Sequence, residues 1–212
     1  MAKVAIVMTD LFEDVEYTSP REAMDNAGHE TVLIGPEKGT TLEGKKGDVK
    51  VDVELGIDDA NPEDFDALYV PGGYSPDNLR GDERFLNFVR HFDKEKKDIY
   101  MICHGPQLLV NADVLRGKDA TAVKQVGVDV TNAGGNYIDQ AVVIDDSGLI
   151  SSRTPDDLPE FNKAIVNALN KKYISNTKAP EKKFSRASFY YKVSTRFVKV
   201  RFFIDKSTIP AE

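Results

Sequence analysis

The strongest constraint on the fold of this chain is a series of short apolar runs separated by segments with helical periodicity. Residues 4–8, VAIVM, form a continuous apolar run rich in β-branched side chains, which is typical of a strand buried on both faces of a parallel sheet. Runs of the same kind recur along the chain, at residues 31–34, 67–70, 99–102, 120–123 and 141–144. The sequence therefore predicts a sheet of at least six strands.

Helical patterns lie between several of these runs. One apolar stripe with helical spacing is formed by five residues, Phe85, Leu86, Phe88, Val89 and Phe92. Residues 16–27 predict another helix, which Gly28 is expected to end. Alternating strands and helices indicate right-handed βαβ units, and hence a mostly parallel sheet between two helical layers.

Two other segments carry local signals. Thr154, Pro155 and Asp157 predict a capping box at the start of the last helix of this region. Residues 40–53 break the alternation with glycine turns and alternating valines, which indicates a small hairpin beside the sheet. The alternation itself continues to about residue 172, so we predict an α/β domain over residues 1–172 and a different segment over 173–212.

Polar and glycine-rich segments follow three of the predicted strands. They are TDLFED at residues 9–14, PGGYSPD at residues 71–77 and CHGP at residues 103–106. Carboxyl ends of parallel strands meet at one edge of the sheet, where ligands bind in open α/β folds. We therefore expect these three segments to form one site.

Cys103 is the only cysteine of the chain and stands directly after a predicted buried strand. A sharp strand-to-helix turn there would form a nucleophile elbow that exposes the side chain above the sheet. The amino end of the following helix should lower the pKa of the thiol and make it reactive. The alternative is a cysteine that merely fills the core, since cysteine is among the residue types most often buried.

The three histidines of the chain leave few candidates for a base. His91 shares the polar face of its predicted helix and is interpreted as a solvated surface residue, and His29 in a loop is interpreted in the same way. His104 is adjacent to the thiol and is the favoured partner, although a histidine that only caps the helix is the alternative.

Two further groups complete the predicted site. Backbone N–H groups of Gly72, Gly73 and His104 could form an oxyanion hole, although most Gly-Gly pairs are simple turns. Glu13 follows the first strand, and a carboxyl group beside a thiolate would have a raised pKa and could donate a hydrogen bond to sulfur. A solvated acid in the first turn of a helix is the alternative for Glu13.

Six ordered motifs together resemble the ThiJ/PfpI family, and most closely its PfpI-type intracellular protease branch, within the class I glutamine amidotransferase-like superfamily. They are FEDVE at residues 12–16, NPEDFDAL leading to PGG at 61–73, ICHGPQ at 102–107, VLRG at 114–117, NAG at 132–134 and SSR at 151–153. The resemblance extends from residue 1 to about 170.

The resemblance implies a flavodoxin-like three-layer α/β sandwich with Cys103 on a nucleophile elbow, His104 as the base and Glu13 against the thiol. It also implies that an acidic residue after PGG, contributed by a neighbouring subunit, orients the histidine. That position is Asp77, which departs from the glutamate expected there but keeps the carboxylate. A dimer or hexamer with a shared site is therefore expected.

The activities that the resemblance implies are those of a cysteine hydrolase: an intracellular peptidase, a glyoxalase III or a deglycase. The sequence itself leaves the substrate open between a peptide and a small carbonyl compound. The competing hypothesis is a redox-sensing or stress-protective protein whose Cys103 is oxidised rather than catalytic. Glutamine amidotransferase chemistry is improbable because no histidine follows His104. No cofactor is expected, and scattered histidines with one cysteine argue against a metal site.

Charge and composition narrow the class of partners. A net charge of -7 makes nucleic acid an unlikely partner, and no apolar run is long enough for a membrane span, so a cytoplasmic protein is expected. Residues 173–212 carry nine basic and three acidic side chains and so have a net charge of +6. Because the whole chain has a net charge of -7, residues 1–172 have a net charge of -13. The basic segment has aromatic and β-branched residues at 189–204 and predicts one or two extra strands.

Overall fold

The structure, a computed structural model, describes the backbone of residues 1–177, 185–193 and 196–204 and the side chains of residues 1–172. It divides into two compact units, residues 1–173 and 174–212, which are described separately. The second unit contains one described hairpin, in which two nine-residue strands pair antiparallel. The domain division predicted from the sequence, into residues 1–172 and 173–212, stays a prediction.

The strands, in chain order, are β1 (Lys3–Val7), β2 (Glu30–Gly35), β3 (Thr41–Glu43), β4 (Lys50–Asp52), β5 (Leu55–Gly56), β6 (Ala67–Val70), β7 (Asp98–Ile102), β8 (Asp119–Ala120), β9 (Asn136–Tyr137), β10 (Val142–Ile144), β11 (Leu149–Ser152), β12 (Ser185–Val193) and β13 (Arg196–Ile204). The α-helices are α1 (Asp14–Asn26), α2 (Ser75–Leu79), α3 (Glu83–Lys94), α4 (Pro106–Ala112), α5 (Gly127–Asn132) and α6 (Leu158–Thr177). Short 3-10 turns lie at Pro62–Asp64, Lys124–Val126 and Pro155–Asp157.

Seven strands form the central sheet in the order β10-β11-β7-β6-β1-β2-β5. All neighbours are parallel except β10, which pairs antiparallel with β11 at the edge. Since β1, β6 and β7 lie side by side, their carboxyl ends meet at one edge. The predicted mostly parallel α/β sandwich is confirmed.

Successive residues of each central strand point to opposite faces of the sheet, and each face has its own core. On one face the strand side chains pack against α3 and α4, whose buried residues include Phe85, Phe92 and Leu108. On the other face they pack against α1 and α6 through residues such as Met24 and Phe161. The continuous apolar runs of the sequence result from this burial on both faces.

Two details of the sheet differ from the sequence prediction. The run at residues 120–123 is not a strand of the central sheet, because only Ala120 is in a strand, in the two-residue β8 that pairs with β9 in a separate small sheet. The position next to β7 is taken by β11, whose sequence LISS is half polar. Both serines are buried with their hydroxyl groups hydrogen-bonded. The Ser151 hydroxyl accepts the Thr121 N–H (2.9 Å), and the Ser152 hydroxyl donates to Ala141 O (2.8 Å).

Local signals at the helix ends gave mixed results. Gly28 follows the end of α1 with φ +82°, the left-handed conformation expected of a glycine that ends a helix. The predicted capping box at Thr154 is wrong: the Thr154 side chain makes no capping hydrogen bond, and a 3-10 turn precedes α6. The Asp157 carboxylate instead accepts hydrogen bonds from Arg153, at 2.9 and 3.1 Å, which is a stronger charge-assisted arrangement.

The hairpin predicted within residues 40–53 is present as β3 and β4, which pair antiparallel.

No described helix is long and apolar enough to cross a bilayer.

Candidate active site

Cys103 occupies a sharp turn between β7 and α4. Its φ is +60°, a left-handed conformation that is uncommon for a residue with a side chain. Its backbone is held from both sides, since its N–H donates to Ser152 O (3.0 Å) and its carbonyl accepts the Val123 N–H (3.1 Å). At Gly105 a Cβ atom would lie 2.8 Å from Val70 O, so the turn requires glycine there. The sharp strand-to-helix turn at Cys103 is therefore fixed by the packing of the sheet edge.

His104 places a base beside the thiol. Its Nδ1 lies 3.3 Å from Cys103 Sγ. Partial burial lowers the pKa of His104, and the positive charge of Lys45 lowers it further, while Asp77 acts weakly in the opposite direction. The imidazole is consequently neutral at pH 7 and able to accept a proton from sulfur.

Glu16 forms a side-chain hydrogen bond with the Cys103 thiol. It lies in the first turn of α1 and is fully buried. Its Oε2 accepts the Gly72 N–H at 2.9 Å, and its backbone carbonyl accepts a hydrogen bond from the buried Tyr69 hydroxyl. Burial raises the pKa of Glu16 to about 7, against the opposing hydrogen bonds from Cys103 and Gly72. Glu16 is thus partly protonated near neutral pH and can share a proton with sulfur.

The thiol itself is less acidic than the sequence predicted. Burial raises the pKa of Cys103, and the charge and hydrogen bond of Glu16 raise it further; backbone N–H groups of His104 and Gly73 act in the opposite direction. The raised pKa disfavours spontaneous ionisation of the thiol.

The prediction that Glu13 lies against the thiol is wrong, because Glu16 holds that position. Glu13 is the residue before α1, and its carboxylate forms ion pairs with Lys45 (3.4 Å) and Lys46 (3.3 Å). The reason is that Glu13 precedes the helix and has an extended backbone (φ -76°, ψ 115°), whereas Glu16 lies within the first turn of α1 and is buried. The sequence signal was present in FEDVE but did not distinguish the acids.

Of the three amides predicted for an oxyanion hole, two face the Cys103 sulfur. They are the Gly73 and His104 N–H groups, which form backbone hydrogen bonds to the sulfur, and their role in an oxyanion hole stays a prediction. The Gly72 N–H is already donated to Glu16, so its predicted role is wrong. Gly73 has φ +78° and a Cβ there would lie 2.5 Å from Leu11 O, which explains the need for glycine.

The turn between β3 and β4 is fixed beside the site. Asp14 is buried, and its carboxylate accepts the N–H groups of Lys46 (3.1 Å) and Val49 (3.0 Å). The Lys45 N–H donates to Phe12 O at 2.7 Å. Sequence reasoning missed both Glu16 and Lys45 as site residues, because the contact of Glu16 with Cys103 and the effect of Lys45 on Glu16 and His104 depend on contacts between distant segments.

Asp77 lies in α2, and its carboxylate pairs with Arg80 at 2.5 Å. Within the described single chain, no hydrogen bond joins Asp77 to His104. The contribution of this residue to a neighbouring subunit stays a prediction.

The other two histidines have structural surroundings. His29 is buried and accepts the Ala2 N–H through Nδ1 (3.2 Å) at the amino end of the sheet, opposite to the site. His91 is half-buried and lies 3.6 Å from Glu63, so the interpretation of both as solvated residues is wrong. Across the residues with described side chains, no cluster of three or more potential metal ligands occurs.

Sequence comparison places this geometry in a known family. The profile of the DJ-1/PfpI family matches residues 2–168. The chain belongs to the DJ-1/PfpI family. The ThiJ/PfpI resemblance of the sequence is thereby confirmed.

Two curated members of the DJ-1/PfpI family match this chain over nearly their whole length. Protein/nucleic acid deglycase 2 of Escherichia coli K12 is 51% identical over 167 residues, which cover 79% of this chain and 97% of the relative. General stress protein 18 of Bacillus subtilis 168 is 50% identical over 169 residues, which cover 80% and 98%.

A solved structure shares the fold. It is a two-domain protein from Anabaena variabilis that contains a dj-1/thij/pfpi-like and a ferritin-like domain. The TM-score is 0.77 at 37% identity, and the match covers 79% of this chain and 50% of that one. The DJ-1/PfpI match ends near residue 168, so residues 173–212 lie outside the family domain of this chain.

Proposed function

We propose that this protein is an enzyme that acts on carbonyl carbon through Cys103, with small α-oxoaldehydes and their adducts on amines as substrates. The single observation that carries the proposal is the placement of the Cys103 thiol between a neutral imidazole at 3.3 Å and a buried carboxyl group. A thiol used only for packing has no need of an acid and a base on either side.

The first step is addition of sulfur to the carbonyl. His104 Nδ1 takes the thiol proton as Cys103 Sγ forms a bond to the carbonyl carbon, and the electron pair of the C=O bond moves to oxygen. The N–H groups of Gly73 and His104 stabilise the oxyanion. Glu16, when protonated, can donate a proton to that oxygen, which gives a neutral hemithioacetal.

With an α-oxoaldehyde the hemithioacetal can rearrange without any added oxidant. The proton on the thiol-bearing carbon is removed to give an enediol, and a proton returns to the neighbouring carbon. The product is a thioester of a 2-hydroxy acid, in which the former aldehyde carbon is oxidised and its neighbour reduced. Water then cleaves the thioester and releases the acid and the Cys103 thiol.

With a carbonyl adduct on an amine, the same thiol displaces nitrogen. Sulfur bonds to the carbon that carries the amine, the carbon–nitrogen bond breaks, and the imidazolium of His104 protonates the departing amine. The enzyme-bound hemithioacetal is then the one described above. The name of the relative from Escherichia coli supports this deglycase reaction, whereas peptide hydrolysis has no comparable support.

We further propose that the working form is a homo-oligomer in which Asp77 of one subunit orients His104 of another. An acid that pairs with the imidazole would stabilise its protonated form during the reaction. The half-exposed position of Asp77 on the short helix α2 is compatible with a contact outside its own chain.

The test measures 2-hydroxy acid formed from methylglyoxal and free arginine released from its methylglyoxal adduct. Wild type should form both products, Cys103→Ala neither, and Glu16→Gln at least tenfold less, since a positioned proton donor contributes about 10²–10⁴-fold. Glu22→Gln is the matched control, because Glu22 is an exposed glutamate on the same helix.

Equal background rates for wild type and Cys103→Ala on both substrates would overturn the proposal. The redox-sensing alternative would then be favoured if peroxide converted Cys103 to the sulfinic acid, as read by intact mass.

A further inference from the structure

A lysine with a defined position lies at the rim of the site. Lys45 Nζ is 3.4 Å from Glu13 Oε2 and 5.8 Å from the centroid of the Tyr74 ring. The Lys45 side chain is 46% exposed and Tyr74 is 55% exposed. The ammonium group is therefore held in place and remains accessible to a ligand.

The backbone connects this lysine directly to the reacting atoms. The Lys45 N–H donates to Phe12 O (2.7 Å), and Phe12 forms an isolated antiparallel bridge with Gly73. Gly73 in turn points its N–H at the Cys103 sulfur. Lys45 is thus two backbone contacts away from the predicted oxyanion site, and Asp14 fixes the turn that carries it.

The charge of Lys45 acts on both partners of the thiol. It favours the ionised form of Glu16 and the neutral form of His104, and so lowers the pKa of each. A positive charge that reaches both sides of the thiol also reaches a substrate bonded to sulfur. Lys45 and Lys46 place two positive charges at the rim, and the carboxylates of Glu13 and Asp14, which contact the same turn, oppose them.

We propose that Lys45 is a specificity-determining residue that selects carbonyl compounds carrying an anionic group, a carboxylate or a phosphate, near the reacting carbon. Glu13 and Tyr74 are positioning residues that hold its ammonium at the rim. This inference rests on the proposed function, because it names the substrate class of the same site.

The test is a pair of alkylating reagents that differ only in charge. Iodoacetate and iodoacetamide both form a bond from Cys103 Sγ to a methylene carbon and release iodide. Since the chain has one cysteine, labelling reports this site alone. Both rate constants depend in the same way on the fraction of Cys103 that is thiolate. The ratio of the iodoacetate to the iodoacetamide rate constant therefore cancels this fraction and reports the attraction of the negatively charged reagent to the site.

At low ionic strength the ratio of iodoacetate to iodoacetamide rates should be higher for wild type than for N-acetylcysteine. Lys45→Gln should lower the ratio about fivefold, the effect of one partly exposed charge. Lys45→Arg should preserve the ratio, and added salt should lower it in wild type. Lys50→Gln is the matched control, because Lys50 belongs to the same hairpin and pairs with Glu43 (3.0 Å).

An equal ratio in wild type and Lys45→Gln would overturn this inference, and so would an equal fall in Lys50→Gln. Alkylation requires no turnover, so the result separates the two proposals. A protein that shows the Lys45 effect but forms no product from methylglyoxal would refute the proposed function alone.

Discussion

Three acidic residues within the four positions from 13 to 16 have three separate roles. Glu13 pairs with two lysines, Asp14 accepts backbone N–H groups of the β3–β4 turn, and Glu16 contacts the thiol. Identical charge thus leads to different chemistry, because the start of α1 points each side chain in its own direction. Glu16 alone is fully buried, and its pKa rises accordingly.

The raised pKa of Glu16 predicts a pH dependence of stability. The carboxyl group keeps its proton up to about pH 7 in the folded protein and to about 4.5 in the unfolded chain. The folded state therefore binds more protons between these values, and stability is lost as pH rises through this window. The full effect amounts to about 3 kcal/mol.

Glu16→Gln should remove this contribution, since glutamine does not titrate. Urea unfolding from pH 4 to pH 8 measures the difference between the unfolding free energies of the two proteins, which cancels the other titrating groups. Wild type should lose about 3 kcal/mol relative to the variant over that range. A difference independent of pH would show that Glu16 is not protonated in the folded protein.

At the scale of elements, the turn of the β3–β4 hairpin is held at the start of α1 by the buried carboxylate of Asp14, together with backbone hydrogen bonds such as that from the Lys45 N–H to Phe12 O. This turn approaches Asp14 so closely that a Cβ on Gly44 would lie 2.4 Å from Asp14 Oδ1. The same turn carries Lys45 and Lys46 to the rim of the site. A small peripheral element therefore places two lysines at the rim of the candidate site.

Asp14→Ala should release this turn. Two backbone N–H groups, those of Lys46 and Val49, lose their acceptor, which should lower the unfolding free energy by about 1–3 kcal/mol. Hydrogen exchange at these two amides should quicken, while the amides of β6 and β7 stay protected. Asp48→Ala is the control, because Asp48 is exposed in the same turn. Unchanged exchange at both amides would contradict the role of Asp14.

At the scale of the whole molecule, the open question is whether one chain contains a complete site. Cys103, His104 and Glu16 come from the same chain, whereas Asp77 pairs with Arg80 and not with the imidazole in the described chain. A second copy could supply the missing acid by symmetry.

Subunit mixing tests this arrangement. Cys103→Ala and Asp77→Ala should each be inactive or strongly impaired alone. After joint unfolding and refolding of equal amounts, a shared site in a dimer should restore about a quarter of wild-type activity, because half of the dimers are mixed and each has one complete site. The product assay with methylglyoxal measures the recovery. No recovery in mixtures shown by mass to contain mixed oligomers would place each site within one chain.

The sequence by itself determined the features that depend on neighbours along the chain. Continuous apolar runs and helical stripes predicted the layers of the fold. A strand buried on both faces has an unbroken apolar run, and a helix buried on one face has an apolar stripe with helical spacing. The Cys103–His104 pair and the glycines at 73 and 105 were visible for the same reason, since they are fixed by local backbone geometry.

Only the tertiary structure decided the features that depend on distant segments. It selected Glu16 over Glu13, inserted the half-polar strand β11 beside β7 and brought Lys45 to the rim. It also reversed the predicted shift in the pKa of Cys103, because burial at the elbow outweighs the backbone N–H groups that favour the thiolate. The pKa of a buried group depends on all the residues packed around it, through desolvation and through their charges. Neighbours in sequence are only some of those residues.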